Sequence, residues 1–239
     1  MGQKVHPLGF RLGEVEKYHS NWFIKPNLYQ KYLFEDFIIR KNTQEYFKSS
    51  LISTLGDNDI FTLTDIKIYR RFGEILICVY GASITSLFVK NKNKNNMKSI
   101  PISSSTFTLF LTKKLREFYK ETNNSKKLPK ILLHTIDISS INLNAIFISK
   151  CLVHDLENRI PFRRALKTIL RRIQKQKNIL GIKIKVSGRL NGIEMARSEW
   201  VKKGRIPLQT FNACIEYYTD IAQTIYGILG IKVWIYKKN

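Results

Sequence analysis

From Arg159 to Arg189, thirty-one consecutive residues contain no aspartate and no glutamate. The stretch "RIPFRRALKTILRRIQKQKNILGIKIKVSGR" holds eleven lysines and arginines. Acid is scarce throughout: 18 acidic residues stand against 41 basic ones in 239, a net charge of +23. So much like charge repels itself and lowers the stability of the compact state unless a polyanion neutralises it. Other scarcities narrow the choice of polyanion. No apolar run approaches the ~20 residues that a helix needs to span a bilayer. The N-terminal "MGQKVHPLGF" lacks the apolar core of a signal peptide, and His6 stands where a myristoylation pattern wants Ser or Thr. Nucleic acid is the expected partner, and no membrane is expected.

Cys78, Cys151 and Cys214 lie far apart with no CxxC pairing, which implies neither a disulfide framework nor a zinc site and predicts buried thiols in a reducing compartment. His6, His19, His134 and His154 lack metal-ligand spacing, and His154 beside Asp155 and Glu157 reads as a surface cluster. "GRLNGIEMAR" has glycines four apart but no Gly-Lys-Ser/Thr after them, so it is no P-loop and its glycines are expected to set turns. Catalytic residues, metal ligands and cofactors are all expected to be absent, and the chain is not expected to be an enzyme.

With 239 residues and 44% apolar composition, the chain can bury a core and has the size of two domains or one large one. The first seventeen residues, ending "HPLGFRLGEVEKY", read as an extended arm that gains order only against a partner. Tyr46, Phe47, Leu51 and Leu55 predict a helix over Arg40 to Thr54, with Gly56 as a stop. "FTLTDIKIYRRFGEILICVYG" alternates apolar and polar residues around a Phe-Gly turn and predicts two antiparallel strands. "VKNKNKNNMKSIPISSS" predicts a basic, solvated loop from about Lys90 to Ser105. Phe107, Leu111, Leu115 and Phe118 then follow a helical period, and "KILLHTIDI" predicts a short strand. Helix, strand, strand, helix, strand suits a small α/β sheet with helices on one face.

The pattern resets near residue 139. Residues 142 to 157 predict a helix capped by Ser140, and Pro161 suits the first turn of the next. In that second helix Phe162, Leu166, Ile169 and Ile173 form a core-facing stripe, while Arg163, Lys167, Arg171 and Lys175 line an adjacent face, with Arg164 and Arg172 beside them. Like charges one turn apart destabilise an isolated helix by a few tenths of a kcal/mol per pair, on the order of 0.2–0.5, and become tolerable when phosphates lie opposite. Three strand-like runs follow, "GIKIKVSGRL", "RIPLQTFNACIEYY" and "GILGIKVWIYK". Lys183 and Lys185 alternate with Ile182, Ile184 and Val186, so the strand is expected to continue the helix as one basic wall. Arg189, Arg197, Lys202, Lys203 and Arg205 interleave with Gly188, Gly192 and Gly204, which would let backbone and guanidinium approach phosphate. Trp200 and Trp234, flanked by apolar strands, are expected in the core.

"MGQKVHPLGFRLG", "FRRALK", "GIKIKVSGRLNGIEMARSEW" and "GRIPLQTFNACIEYYTDIAQTIYGILGIKVWI", in this order, closely resemble the bacterial and plastid form of the small-subunit ribosomal protein three family. The resemblance covers the arm and nearly everything after about Leu143. It implies an α+β fold of two domains: an N-terminal type II KH-like α/β domain and a C-terminal α/β domain with a mixed sheet packed on helices. The implied boundaries are an arm at 1–17, the KH-like domain at 18–138 with a basic insertion loop at 90–105, and the C-terminal domain at 139–239. It further implies a structural protein of the small-subunit head that binds small-subunit ribosomal RNA, meets neighbouring head proteins, and lines the channel by which messenger RNA enters. By the match of "FRRALK", the messenger-facing roles would fall on Arg163, Arg164 and Lys167. The wider RNA-binding set is Arg159, Arg163, Arg164, Lys167, Arg171, Arg172, Lys175, Lys183, Lys185, Arg189, Arg197, Lys202, Lys203 and Arg205, with Lys4 and Arg11 in the arm. One departure stands out. Members of the bacterial type usually carry a G-x-x-G loop, which grips about four single-stranded nucleotides, after the second strand. Here "VYGASITSLFVKNKNKNNMKS" contains only Gly81, so a KH scaffold with a degenerate loop is expected, with Lys90, Lys92, Lys94 and Lys98 left to touch phosphate.

A free-standing KH-type RNA-binding regulator is one alternative, and it would keep the G-x-x-G loop. A nucleic-acid-processing nuclease or lyase is another, and it would depend on one carboxylate or lysine. No transit peptide precedes "MGQKVHPLGF", and the bias to Ile, Asn and Lys favours a plastid (chloroplast stroma) ribosome over a bacterial cytoplasm.

Overall fold

A computed structural model describes residues 5–54, 63–71, 73–81, 104–121, 129–137, 144–174 and 178–238. In chain order the helices and strands are α1 (Pro7–Arg11), β1 (Ser20–Asn21), α2 (Pro26–Thr54), β2 (Leu63–Arg71), β3 (Glu74–Gly81), α3 (Ser104–Glu121), β4 (Lys130–Asp137), α4 (Ala145–Glu157), α5 (Phe162–Gln174), β5 (Ile179–Gly188), β6 (Arg197–Gly204), β7 (Ile215–Thr224) and β8 (Gly227–Lys237). This α+β chain folds as two units, Tyr18–Ser139 and Met1–Lys17 joined with Ser140–Asn239.

In the Tyr18–Ser139 unit, the period-two alternation of β2 and β3 sends Ile66, Ile68, Ile75, Ile77 and Val79 to one face of an antiparallel ladder, with Ile68 opposite Ile77. Sheet order is β1-β2-β3-β4, with β1/β2 and β3/β4 parallel. Parallel strands need a long crossover, and α3 lies in the one between β3 and β4. Ile39 and Phe47 of α2 and Phe107, Leu111 and Leu115 of α3 close the core over the sheet. The α2 helix begins at Pro26, well before the expected Arg40, and proline's fixed φ suits a first turn. Its unanticipated part exposes Tyr29, Leu33, Phe34 and Phe37, so no single apolar stripe announces it. The expected loop from Lys90 to Ser105 lies outside the described residues save for Ser104 and Ser105, which open α3, and the segment lacking G-x-x-G lies outside them beyond Gly81, where β3 ends.

The second unit has a sheet of order β6-β5-β8-β7 in which every pairing is antiparallel, so the expected mixed sheet is corrected. Both of its long helices precede the sheet in sequence, and among the described residues only a single 3-10 turn, Leu190–Gly192, lies between its strands. Ile182, Ile184 and Val186 of β5 and Ile231, Val233 and Ile235 of β8 are buried, as are Phe162, Ala165, Leu166, Ile169 and Ile173 of α5. The cap of α4 is Asn144, not Ser140: its side-chain oxygen accepts from Ile146 N at 2.9 Å. Residues 197–204, which lie between the first two expected strand runs, form the edge strand β6.

The arm is also corrected. It is not extended: Pro7–Arg11 makes a helical turn capped by His6, and it packs within this same unit, where His6 meets the Tyr217 ring edge-on at 4.9 Å and Phe10 meets Phe211 at 5.3 Å. Arg11, expected to face RNA, is 0% exposed. Its guanidinium is directed at backbone carbonyls of Pro7 (3.0 Å), Pro207 (3.3 Å), Leu208 (3.0 Å) and Thr210 (2.8 Å). Burial pushes its pKa down from the ordinary value. Every one of these partners belongs to the chain itself.

Candidate nucleic-acid interface

Helix α5 sorts its residues by period. With the apolar stripe buried, Arg163, Arg164, Lys167, Arg171 and Arg172 are all exposed on the outer side, and no carboxylate lies on the helix. Arg163 reaches across to Glu199 of β6 at 3.2 Å, with its side chain still 77% exposed, so that pair adds little stability. Arg159, in the turn between α4 and α5, is exposed and takes a left-handed φ of 60°. Lys175 and Lys4 lie outside the described residues.

The strand residues face elsewhere. Ile182, Ile184 and Val186 form one core with the apolar stripe of α5, so Lys183 and Lys185, which alternate with them, point to the opposite side of the sheet. The expected single basic wall is therefore two faces with the core between them. Register places residues that share the open face: Lys185 opposite Trp200 and Lys232, Lys183 opposite Lys202 and Trp234, and Trp234 opposite Tyr217. Lys183 Nζ lies 5.1 Å from the Trp200 ring centroid and 5.2 Å from that of Trp234, within cation–π range. Trp234 continues the aromatic row to Tyr217 at 5.3 Å.

Trp200, expected in the core, is 59% exposed, while Trp234 is half-buried. An edge strand has one neighbour only, and that leaves its large side chain open. Lys232 was not anticipated as part of a basic face, although its alternation with Ile231 and Val233 is a signal of the same kind as that of Lys183.

Arg197, Lys202, Lys203 and Arg205 are exposed on or just after β6. Arg189 is exposed and spends part of its fork on carbonyls, Nε to Ile193 at 3.1 Å and Nη1 to Tyr226 at 3.3 Å. Gly188 and Gly192 take φ of 135° and 83°, consistent with a role in turns. Among the described residues no group of three His, Cys, Asp or Glu could hold a metal ion, and no helix is long and apolar enough to cross a membrane. The thiol of Cys151 is pushed up to about 11 by burial, and those of Cys78 and Cys214 are also raised.

Faces this rich in cations belong to a protein built to meet a polyanion. Residues 152–235 match the family described as ribosomal protein S3, C-terminal domain. Over 238 residues, 99% of this chain and 98% of the relative, the sequence is 38% identical to small ribosomal subunit protein uS3c of Tupiella akineta. It is 35% identical to uS3c of Euglena gracilis over 99% of this chain and 100% of that protein, and 37% identical to uS3c of Thalassiosira pseudonana over 100% and 98%. The chain belongs to the ribosomal protein S3 family.

Proposed function

We propose that the chain is a structural constituent of the small ribosomal subunit of a plastid, where it binds small-subunit ribosomal RNA and contacts neighbouring head proteins. The observation that carries this reading is α5: five exposed cations, no acid, and a buried apolar stripe beneath them. Such a face gains affinity by releasing counterions from phosphates, without reading sequence. Full-length similarity to proteins named small ribosomal subunit protein uS3c supports the assembly. Their plastid-type names support an organellar ribosome, in the chloroplast stroma.

Finer roles fall on the two basic faces and the turns beside them. Arg163, Arg164 and Lys167 line the channel by which messenger RNA enters, and Arg159, Arg171, Arg172, Lys183, Lys185, Arg189, Arg197, Lys202, Lys203 and Arg205 hold RNA elsewhere. The residue 18–138 domain is a type II KH-like module, a reading supported by the order helix, strand, strand, helix, strand in α2, β2, β3, α3 and β4. Unwinding of messenger is a property of the assembled ribosome, driven by translocation past a basic ring.

Sedimentation of native lysate through a density gradient at two salt concentrations tests the assignment, with the protein followed by mass spectrometry. Co-migration with the small subunit at both salts is expected. Release into light fractions at the higher salt would overturn it in favour of surface counterion exchange alone.

A further inference from the structure

We propose that the open face of the β6-β5-β8-β7 sheet is a second RNA surface, which captures an unpaired nucleobase on the Trp200 indole, whereas α5 on the other side of the unit meets phosphates alone. This rests on the RNA-binding reading above and adds to it a second mode of recognition.

The first observation is the exposure of Trp200, 59% open on an edge strand. An indole left in water forgoes a large burial gain, and an exposed aromatic among cations is the usual platform for a base. The second is its setting. Lys185 is directly opposite on β5, Lys232 lies beyond it on β8, and Lys202 follows two residues along β6. Lys183 holds its ammonium over both indoles, which anchors the Trp200 ring from one side.

No acid is among the strand residues sharing this face: Ser198, Trp200 and Lys202 on β6, Lys183, Lys185 and Ser187 on β5, Gly230, Lys232 and Trp234 on β8, and Tyr217, Thr219 and Ile221 on β7, where His6 of the arm covers Tyr217 and leaves the β6 end with Trp200 open. Glu199, Glu216 and Asp220 fall on the helix side by the same register, where they pair with Arg163, Lys237 and Lys150. An occupant must be anionic along its length and present flat apolar rings. Single-stranded RNA is both, whereas a duplex keeps its base faces stacked inside.

The full chain is titrated with two fluorescent oligomers of about 12 units, one a mixed-sequence single-stranded RNA and the other an abasic ribose-phosphate chain of equal charge. Trp200→Ala is expected to weaken the mixed-sequence oligomer roughly 5- to 100-fold while leaving the abasic one unchanged, because base–aromatic stacking has that magnitude and needs a base. Trp200→Phe is expected to recover most of the loss. Arg163→Ala/Arg164→Ala/Lys167→Ala is expected to weaken both oligomers alike and to flatten the salt dependence. Equal losses on both oligomers with Trp200→Ala, or none on either, would overturn the stacking site and leave a charged face for an acidic protein segment. Failure of the wild-type chain to bind either oligomer would overturn the RNA-binding reading itself, and the stacking site with it. Identical circular dichroism of Trp200→Ala and wild type rules out misfolding as the cause of any loss.

Discussion

Arg70 of β2 grips Asp36 of α2 twice, through Nε at 3.0 Å and Nη2 at 2.5 Å, with the two side chains only 8% and 5% exposed. The remaining valences are also filled. Trp22 Nε1 donates to the second Asp36 oxygen at 2.8 Å, and Arg70 Nη1 donates to Glu35 at 2.6 Å. The Tyr119 hydroxyl donates to the other Glu35 oxygen at 2.8 Å, and burial followed by the Glu35 charge pushes its pKa far up. In a chain so poor in acid, two carboxylates are committed to one buried guanidinium that ties α2 and α3 to the sheet.

Removing one member of such a cluster strands the others without water. Arg70→Met is expected to lower the stability of the Tyr18–Ser139 unit by about 3–5 kcal/mol, read as a shift in urea midpoint by circular dichroism. A change below about 1 kcal/mol, the scale of a surface pair, would mean that water reaches the cluster.

Arg11 makes a parallel case in the other unit. Its guanidinium collects four backbone carbonyls, three of them, Pro207, Leu208 and Thr210, from one loop nearly two hundred residues away. Arg11→Ala is expected to destabilise the unit by about 1–3 kcal/mol for each buried group left unpaired. Arg11→Lys is expected not to restore it, because an ammonium lacks the planar fork. RNA affinity per folded molecule should keep its salt slope in either variant, and a reduced slope would return Arg11 to the phosphate-binding set.

What the sequence revealed and what it hid follow from periodicity. The β2/β3 hairpin, α3 and the apolar stripe of α5 were legible because each buries one face and leaves the other in water. The start of α2 and strand β6 were not, since Tyr29, Leu33, Phe34 and Phe37 are exposed on the side of the helix opposite buried Ile39, so apolar residues surround it, and β6 buries almost nothing. Placing Lys183 and α5 on one wall overlooked a constraint already present: the apolar faces of helix and strand meet in one core, so their cations point apart. Arg11 gave no local signal at all, because its acceptors lie nearly two hundred residues away in sequence.

His19 carries a pH dependence. Its ring nitrogen Nδ1 sits 2.8 Å from Asp65, and that hydrogen bond raises its pKa above 6.5 against the opposing effects of burial, Arg40 and Lys67. A histidine raised on folding adds stability below its unfolded pKa and loses it as pH rises through the folded value. Stability of this unit should therefore decline slightly above pH ~6.5, by less than about 1 kcal/mol given the exposure of the ring. An NMR titration of His19 is expected to show a midpoint above that of the denatured chain, and His19→Gln should remove the slope.

Cys151 should be inert. With its thiol pushed up to about 11 by burial, almost no thiolate exists at pH 8. Iodoacetamide at pH 8 is expected to label Cys151 only after urea unfolding, and rapid labelling of the native chain would contradict the packing beneath α4.

Gly181 and Gly204 face each other across β5 and β6, and that pairing fixes the end of the edge strand that carries the basic and aromatic face. A Cβ on Gly181 would lie 2.0 Å from the Arg205 carbonyl oxygen, and one on Gly204 would lie 2.3 Å from that of Leu180. Both obstacles are backbone, so no side chain can rotate away, and Gly204 also holds a left-handed φ of 72°. Gly181→Ala must therefore push the end of β6 off β5, at a cost of about 1–3 kcal/mol. Faster hydrogen exchange at Lys202 and Lys203 is expected, with α5 amides unaffected. If protection at β6 survives the substitution, the close approach of the two strands is not what holds Trp200 and Lys202 in their shared face.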